Sequence, residues 1–208
     1  MAGDRSEDPL DEHSVAPDPL DQFDAWYRDA VEALGEGAAA MAVATATPDG
    51  APSVRMVLLR GFDARGFVFY TSYESRKADE LAANPRAALL FHWPVLARQI
   101  RIEGPVERVT REESAAYFAS RPRGHQLSAW ASYQSAPVPD RAALEAQLAE
   151  VEARFAGQDV PLPDHWGGYR VAPEVIELWA SRADRLHDRV RSTRQPGDGG
   201  WLIERLAP

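Results

Sequence analysis

Apolar positions recur at helical spacing from Leu20 through Phe23, Tyr27, Ala30 and Val31 to Leu34, which predicts an amphipathic helix. Asp18 stands before it as N-cap, Pro19 occupies its first turn, and Gly35-Glu36-Gly37 ends it. The period then shortens. "MAVATAT" (Met41–Thr47), "PSVRMVLLR" (Pro52–Arg60) and "FVFYTS" (Phe67–Ser72) are short strand-like runs separated by the turns "PDG" and "DARG", the pattern of a β-meander. "SRKADELAANP" predicts a short helix over Ser75–Pro85 that Pro85 stops. Strands follow at "RAALLFHW" (Arg86–Trp93) and "RQIRIEGPVERV" (Arg98–Val109). Thr110 and Glu113 form a T-x-x-E capping box that opens a helix through Phe118. A longer helix is predicted from Asp140 to Phe155, with Leu144, Leu148, Val151 and Phe155 on one stripe. "GYRVAPEVIELWA", "RLHDRVRSTR" and "WLIERLAP" return the chain to strand. Helices and strands do not alternate regularly, so the expected class is α+β: an antiparallel barrel or sandwich with peripheral helices.

The chain has 208 residues, of which 45% are hydrophobic, enough for one real core. The expected organisation is a flexible, acidic, Pro-rich arm over residues 1–17 and a single domain over 18–208. Cysteine is absent, which removes disulfide and thiolate chemistry and suits a reducing cytoplasm. No apolar run approaches the ~20 residues that span a bilayer, so no membrane association is expected. The N-terminus lacks the apolar stretch of a secretory signal. A net charge of −9 argues against nucleic-acid binding, which needs a basic surface.

Against that acidic background the cations are clustered. Read as a strand, "RLHDRVRSTR" places Arg185, His187, Arg189 and Arg191 on one face and Leu186, Asp188 and Val190 on the other. Such a face repels itself unless carboxylates or a bound anion neutralise it. Arg55 and Arg60 bracket an apolar strand core, and Arg76 and Lys77 stand at a helix N-terminus after Ser75, where backbone N–H groups favour a phosphate. Arg121, Arg123 and His125 follow another helix in what reads as a loop. The chemistry that would use such seats is not built in. The five histidines show no zinc spacing. There is no Gly-x-Ser-x-Gly elbow and no Walker loop. "GEGAAA" is not a dinucleotide fingerprint, because a helix precedes it and a strand follows. Anion seats without a nucleophile or metal fit an organic cofactor that carries the reaction.

Taken in order, "RMVLLRGFD", "GFVFYTSYESRKADEL", "NPRAALLFHW", "RQIRIEG", "YFASRPRGHQLSAWASYQS", "PLPDHWGGYRVAPEVIELW", "RLHDR" and "WLIERLAP" resemble the pyridoxamine 5'-phosphate oxidase family over nearly the whole chain. The resemblance implies an FMN-binding split β-barrel that forms a homodimer with FMN at the interface. It implies oxidation of pyridoxamine or pyridoxine 5'-phosphate to pyridoxal 5'-phosphate, with O2 as electron acceptor and release of H2O2. Carried over by position, Arg55, Met56, Val57 and Leu58 would line the flavin, followed by Tyr70 and Thr71 on the next strand. Arg76 and Lys77 would clamp its phosphate, and Gln99 would reach its ring. Gln134 and Ser135 would come from the partner's side of the site, and Trp179 and Arg189 would complete it. On the substrate side, Tyr117 and Arg121 would grip the phosphate, with Arg60 and His125 beside them. Arg185, Leu186 and His187 would cover and orient the pyridine ring, with Arg185 and His187 as the catalytic pair.

Departures from the family pattern fall on that substrate side. Arg60 stands where the family usually has Lys, His125 where it often has Ser, and Ala180-Ser181 where it reads Gln-Gly after the tryptophan. The family's N-terminal lid motif is not visible. An arginine is not a neutral replacement for lysine, because its planar fork binds phosphate or carboxylate bidentately. A related oxidase of another anionic, carboxylated ring (phenazine-pathway-like) and a non-catalytic carrier of flavin or B6 phosphate are the alternative expectations.

Overall fold

The computed structural model describes residues 10–197 and 199–208. Residues 1–9 of the expected arm lie outside that range. The described remainder of the arm packs on the domain, with Leu10 in the core and only 6% exposed. The first helix, α1 (Pro19–Leu34), starts as expected, since the Asp18 side chain accepts from the Leu20 N–H at 2.9 Å. It buries Leu20, Phe23, Trp26 and Ala30, and leaves Val31 on the open side. Phe23 is the centre of an aromatic cluster, with ring centroids 4.7 Å from Phe67, 4.9 Å from Phe62 and 5.2 Å from Phe91.

Among the described residues, ten antiparallel strands follow in one curled sheet: β1 (Ala40–Ala46), β2 (Pro52–Leu58), β3 (Gly61–Asp63), β4 (Gly66–Ser72), β5 (Arg86–Trp93), β6 (Arg98–Arg108), β7 (Trp166–Val171), β8 (Val175–Ala180), β9 (Asp188–Arg194) and β10 (Trp201–Arg205). Their order is β10-β9-β8-β6-β5-β1-β2, and the far end of β6 leaves that row to pair with β7, which pairs with β4. The long strand β6 therefore serves both arms of the sheet. Gly104 stands where it changes partners, and any Cβ there would collide with the Ala172 carbonyl. Beyond β2 the chain crosses to the other arm, where the Arg60 N–H donates to the Val68 carbonyl at 2.8 Å. This curl makes the half-barrel expected of an α+β split barrel, and β8–β10 extend from its side.

Five α-helices sit around the sheet among the described residues: α1, α2 (Arg76–Ala83), α3 (Arg111–Ser120), α4 (Arg123–Ala131) and α5 (Arg141–Arg154). The capping box of α3 is present in both directions, with Glu113 N–H on the Thr110 hydroxyl and Thr110 N–H on the Glu113 carboxylate, each at 3.1 Å. This cap matters for the site, because α3 carries Tyr117 and its C-cap is Arg121. Thr110→Ala is expected to cost about 1 kcal/mol of stability, read as a lower urea midpoint at unchanged slope.

Three expectations differ from what is found. "GYRVAPEVIELWA" is not one strand: β7 and β8 are separated at Ala172-Pro173-Glu174, where the chain passes from one arm to the other. The stretch with Arg121, Arg123 and His125, expected as a loop, runs into helix α4 from Arg123 onward, whose Leu127 is buried in the second core cluster with Phe118, Phe155 and Trp166. Arg185, Leu186 and His187 are not strand residues. Asp184 and Arg185 take left-handed backbone angles (φ 55° and 61°), which bends the chain, and β9 begins only at Asp188. No described helix is long and apolar enough to cross a membrane.

Candidate active site

A cleft of about 1320 Å³ opens between β2, β4, the N-terminus of α2, and the α3–α4–α5 face. Behind its lining lies an ordered set of buried polar groups. Thr45 and Ser53 face each other across β1 and β2, and both hydroxyls donate to the Glu80 carboxylate of α2. Arg76 Nε donates to the same carboxylate at 2.8 Å and Arg55 Nη2 reaches it at 3.3 Å. Burial would raise the Glu80 carboxyl, but its donors, led by Ser53 and Thr45, outweigh burial and hold it down at about 2. Glu80 thus fixes two arginines at the cleft without being available to a ligand. Because this pKa is depressed, the stabilisation is present above the ordinary carboxylate value near 4.5 and is lost as pH falls from there through about 2. Glu80→Gln is expected to flatten that acid limb in pH-dependent urea melts.

Lys77 is 6% exposed, an unusual position for an ammonium group. Its Nζ donates to Thr71 Oγ1 at 2.9 Å, Gln134 Oε1 at 3.0 Å and Ser75 Oγ at 3.1 Å, all neutral oxygens. Burial, with the nearby Arg55 charge adding to it, lowers the Lys77 pKa to about 8. A dianionic phosphate would reverse both penalties. The Arg76 backbone N–H, at the start of α2, donates to Ser135 Oγ at 3.3 Å.

The other cationic set lies against stacked rings. Tyr70 and Tyr117 stack at 4.0 Å, and Trp166 stacks on Tyr70 at 5.5 Å. Gly168 permits this, since a Cβ there would clash with the Tyr70 ring. Arg121 lies over Trp166 at 4.6 Å, and Arg60 lies over Tyr117 at 5.9 Å. Arg121 Nη1 is buried with no hydrogen-bond partner, and burial lowers the Arg121 pKa from its ordinary value, with the Arg60 charge acting in the same direction. A buried guanidinium nitrogen without an acceptor is costly unless a ligand supplies one. His125 borders the same end of the cleft from α4.

The cleft therefore gathers Arg55, Met56, Val57, Leu58, Arg60, Tyr70, Thr71, Arg76, Lys77, Tyr117, Arg121, His125, Gln134 and Ser135. Gln134 and Ser135, expected from the partner's side, bond Thr71, Lys77 and Arg76 of their own chain, because the turn after α4 returns them to the start of α2. Gln99, Trp179, Arg185, Leu186, His187 and Arg189 do not line this cleft. They form a second group on the sheet extension. Gln99, Trp179 and Arg189 stand side by side across β6, β8 and β9, and the His187 ring lies 4.7 Å from that of Trp179. Two cations of β9 are neutralised within the chain: Arg189 Nε meets Glu177 at 2.8 Å and Arg191 Nη2 meets Glu204 at 2.9 Å. The sequence pattern offered carboxylates or a ligand as counter-charge, and here carboxylates serve. Glu80, its two hydroxyl partners and Trp166 were missed as site residues. The legible signals were the i,i+4 spacing of Arg76 and Glu80 and the polar positions of Ser53 and Arg55 on one face of β2.

Comparison with known proteins agrees with the geometry. Residues 27–155 match the family described as "Pyridoxamine 5'-phosphate oxidase", and residues 166–208 match "Pyridoxine 5'-phosphate oxidase C-terminal dimerisation region". The split-barrel fold, with the family match and the named relatives, defines an oxidoreductase of the antiparallel split-barrel class. The chain belongs to the pyridoxamine 5'-phosphate oxidase family. A pyridoxine/pyridoxamine 5'-phosphate oxidase of Rubrobacter xylanophilus is 56% identical over 199 residues, covering 96% of this chain and 91% of that one. Pyridoxine/pyridoxamine 5'-phosphate oxidase 1 of Ralstonia nicotianae is also 56% identical, over 96% of this chain and 93% of its own. Among solved structures, PhzG from Burkholderia lata, in complex with tetrahydrophenazine-1-carboxylic acid, is 33% identical with a TM-score of 0.89, covering 98% of this chain and all of that one. A pyridoxamine 5'-phosphate oxidase-related, FMN-binding protein of Nostoc punctiforme shares the fold at 20% identity and a TM-score of 0.71, over 94% of this chain and 99% of that one.

Proposed function

We propose that the chain is an FMN-dependent oxidase of the B6 phosphates, acting as a homodimer. Pyridoxine 5'-phosphate and O2 would give pyridoxal 5'-phosphate and H2O2; pyridoxamine 5'-phosphate, O2 and water would give the same products plus ammonia. The observation that carries the reading is the presence of two cationic sets in one cleft, each short of an anion. Lys77 is buried among neutral oxygens, and Arg121 Nη1 is buried without an acceptor. A phosphorylated flavin and a phosphorylated substrate supply one anion each.

Lys77, Arg76 and Arg55 would hold the FMN phosphate, with Glu80 keeping the two arginines in place. Met56, Val57 and Leu58 would line the flavin, with Tyr70 and Thr71 on the neighbouring strand. Bound FMN supplies the two-electron acceptor that no side chain here provides. Arg121, Arg60 and Tyr117 would fix the substrate phosphate, a binding contribution made far from the reacting carbon.

Gln99, Trp179, Arg185, His187 and Arg189 would reach the cleft of a second copy. The alternating side chains Val54, Met56 and Leu58 of β2 are 69%, 65% and 42% exposed, and Leu186 is 71% exposed, an apolar surface for a partner copy to cover. The match of residues 166–208 to a dimerisation region supports the same arrangement.

Arg60 and His125 favour keeping a second reading: an oxidase of another anionic ring, as the tetrahydrophenazine-1-carboxylic acid held by the PhzG structure suggests. Oxygen consumption by the yellow, FMN-loaded protein separates the possibilities. Uptake and H2O2 with either B6 phosphate is the expected result. Turnover of a cyclic carboxylate alone would shift the assignment to the second reading, and flavin binding without turnover of any of them would make the protein a carrier.

A further inference from the structure

The loop bearing Arg185 and His187 has little packing of its own. Asp184 and Arg185 are non-glycine residues held at φ 55° and 61°, and Leu186 projects with 71% exposure. Left-handed backbone at two consecutive such residues persists only where the surroundings over-determine it. Here the restraint comes from ion pairs at the base of the loop. Arg182 closes the loop twice: its backbone N–H donates to His187 Nδ1 at 3.1 Å, and its Nε donates to Asp188 Oδ2 at 2.6 Å. The other Asp188 oxygen accepts from Arg205 Nη1 of β10 at 2.9 Å. Arg205 in turn binds Glu12 at 2.6 Å and the Leu10 carbonyl at 3.0 Å. The Asp188 side chain is 14% exposed; burial would raise its carboxyl, but the two guanidinium groups hold it below the usual carboxylate range.

We infer that the chain Arg182–Asp188–Arg205, tied off by Glu12 of the N-terminal segment, positions His187 and Arg185 for the reaction. Arg182, Asp188 and Arg205 are then positioning residues: they act through His187 and Arg185. This rests on the proposed role of those two residues against the substrate ring. A chemical consequence follows from the Arg182 contact. Because Nδ1 of His187 accepts a hydrogen bond, the proton of the neutral ring is on Nε2, which leaves Nε2–H as the donor available to a ligand. The N-terminal segment becomes part of the same device, since Arg205 holds it and Asp188 together.

Asp188→Asn in the FMN-loaded full chain tests the inference. Turnover with a B6 phosphate should fall about tenfold, the scale seen when a site histidine loses an orienting partner, while FMN content stays unchanged. Histidine ring-nitrogen NMR should show Nε2-protonated His187 in the wild type and a mixture of tautomers in the variant. Unchanged turnover and tautomer would overturn the inference. So would a turnover loss matched by an equal loss of FMN, which marks general disruption. If Asp188→Asn does not fold, Arg205→Gln, at a side chain 40% exposed, carries the same readouts with the same expected directions. The NMR measurement needs no turnover. A wild type inactive on every B6 phosphate would therefore remove the functional reading while the tautomer still tests the positioning device.

Discussion

Lys77→Ala is expected to weaken FMN binding by about ten- to a hundredfold, the worth of one charge-assisted hydrogen bond of about 1.5–3 kcal/mol. The deficit should grow with salt, because the remaining cations at that end of the cleft, Arg55 and Arg76, have side chains 22% and 62% exposed and are more readily screened. Lys77 also gives the binding a pH signature. Its pKa in the free protein is lowered to about 8, chiefly by burial. A bound phosphate dianion would raise it again, so FMN binding above pH 8 takes up a proton. Affinity is therefore expected to fall as pH rises past about 8, approaching tenfold per pH unit for one coupled proton. The flavin phosphate itself titrates near 6 and adds nothing to that limb. Lys77 in the free protein carries the opposite linkage: a lowered lysine pKa penalises folding below about 8, and the penalty fades as pH rises from there towards 10.5. Flavin fluorescence titrations from pH 7 to 10 read the affinity loss in the variant and the pH dependence of binding in the wild type. An unchanged affinity in Lys77→Ala, or a flat wild-type pH profile, would put the phosphate elsewhere.

Arg185→Ala is expected to cut turnover about a hundredfold while leaving flavin bound, the loss typical of a reactant held slightly out of place. The structure argues for this division of labour. Arg185 is exposed, lies outside the cleft that holds Lys77, and sits on a bend whose angles no packing within the loop explains. Under the proposed function its charge would be delivered to the substrate ring of the neighbouring copy, and the flavin phosphate would be held by other residues. Parallel loss of flavin and turnover in the variant would contradict that separation. The check is steady-state kinetics beside the flavin absorbance of the purified protein.

Much of this architecture was readable in the letters, and the failures have physical causes. The helix from Pro19 to Leu34 carried a cap, a stripe and a glycine stop, three signals that agree. The capping box at Thr110 was a local motif that tertiary structure had no reason to override. The cations at the start of α2 were visible as a misfit, since Arg76 and Lys77 stand where the helix dipole disfavours them. Residues 185–187 were misread because alternation of charge looks like a strand, and nothing in Asp184-Arg185 announces two left-handed residues. Helix α4 was hidden because its apolar residues, Leu127, Ala129, Trp130 and Ala131, crowd its C-terminal end without a helical stripe, while its first turn carries Gly124 and polar side chains. The placement of Gln134 beside Lys77 depends on where α4 and its turn lead, a three-dimensional fact with no local trace. Glu80 escaped notice for a different reason. A carboxylate beside clustered cations reads as their counter-charge alone until its four donors are seen around it.

In the proposed homodimer two half-sites, one on the cleft and one on the sheet extension, would meet across a pair of chains. Co-expression of Arg121→Ala and Arg185→Ala chains tests this directly. Each variant alone should be nearly inactive. In a random mixture half the dimers are mixed, and each mixed dimer has one intact site, so activity should return to about a quarter of wild type. If Arg121 and Arg185 instead serve the same site from one chain, every site in the mixed dimer carries a defect. Activity that stays at the level of the separate variants would contradict the shared site.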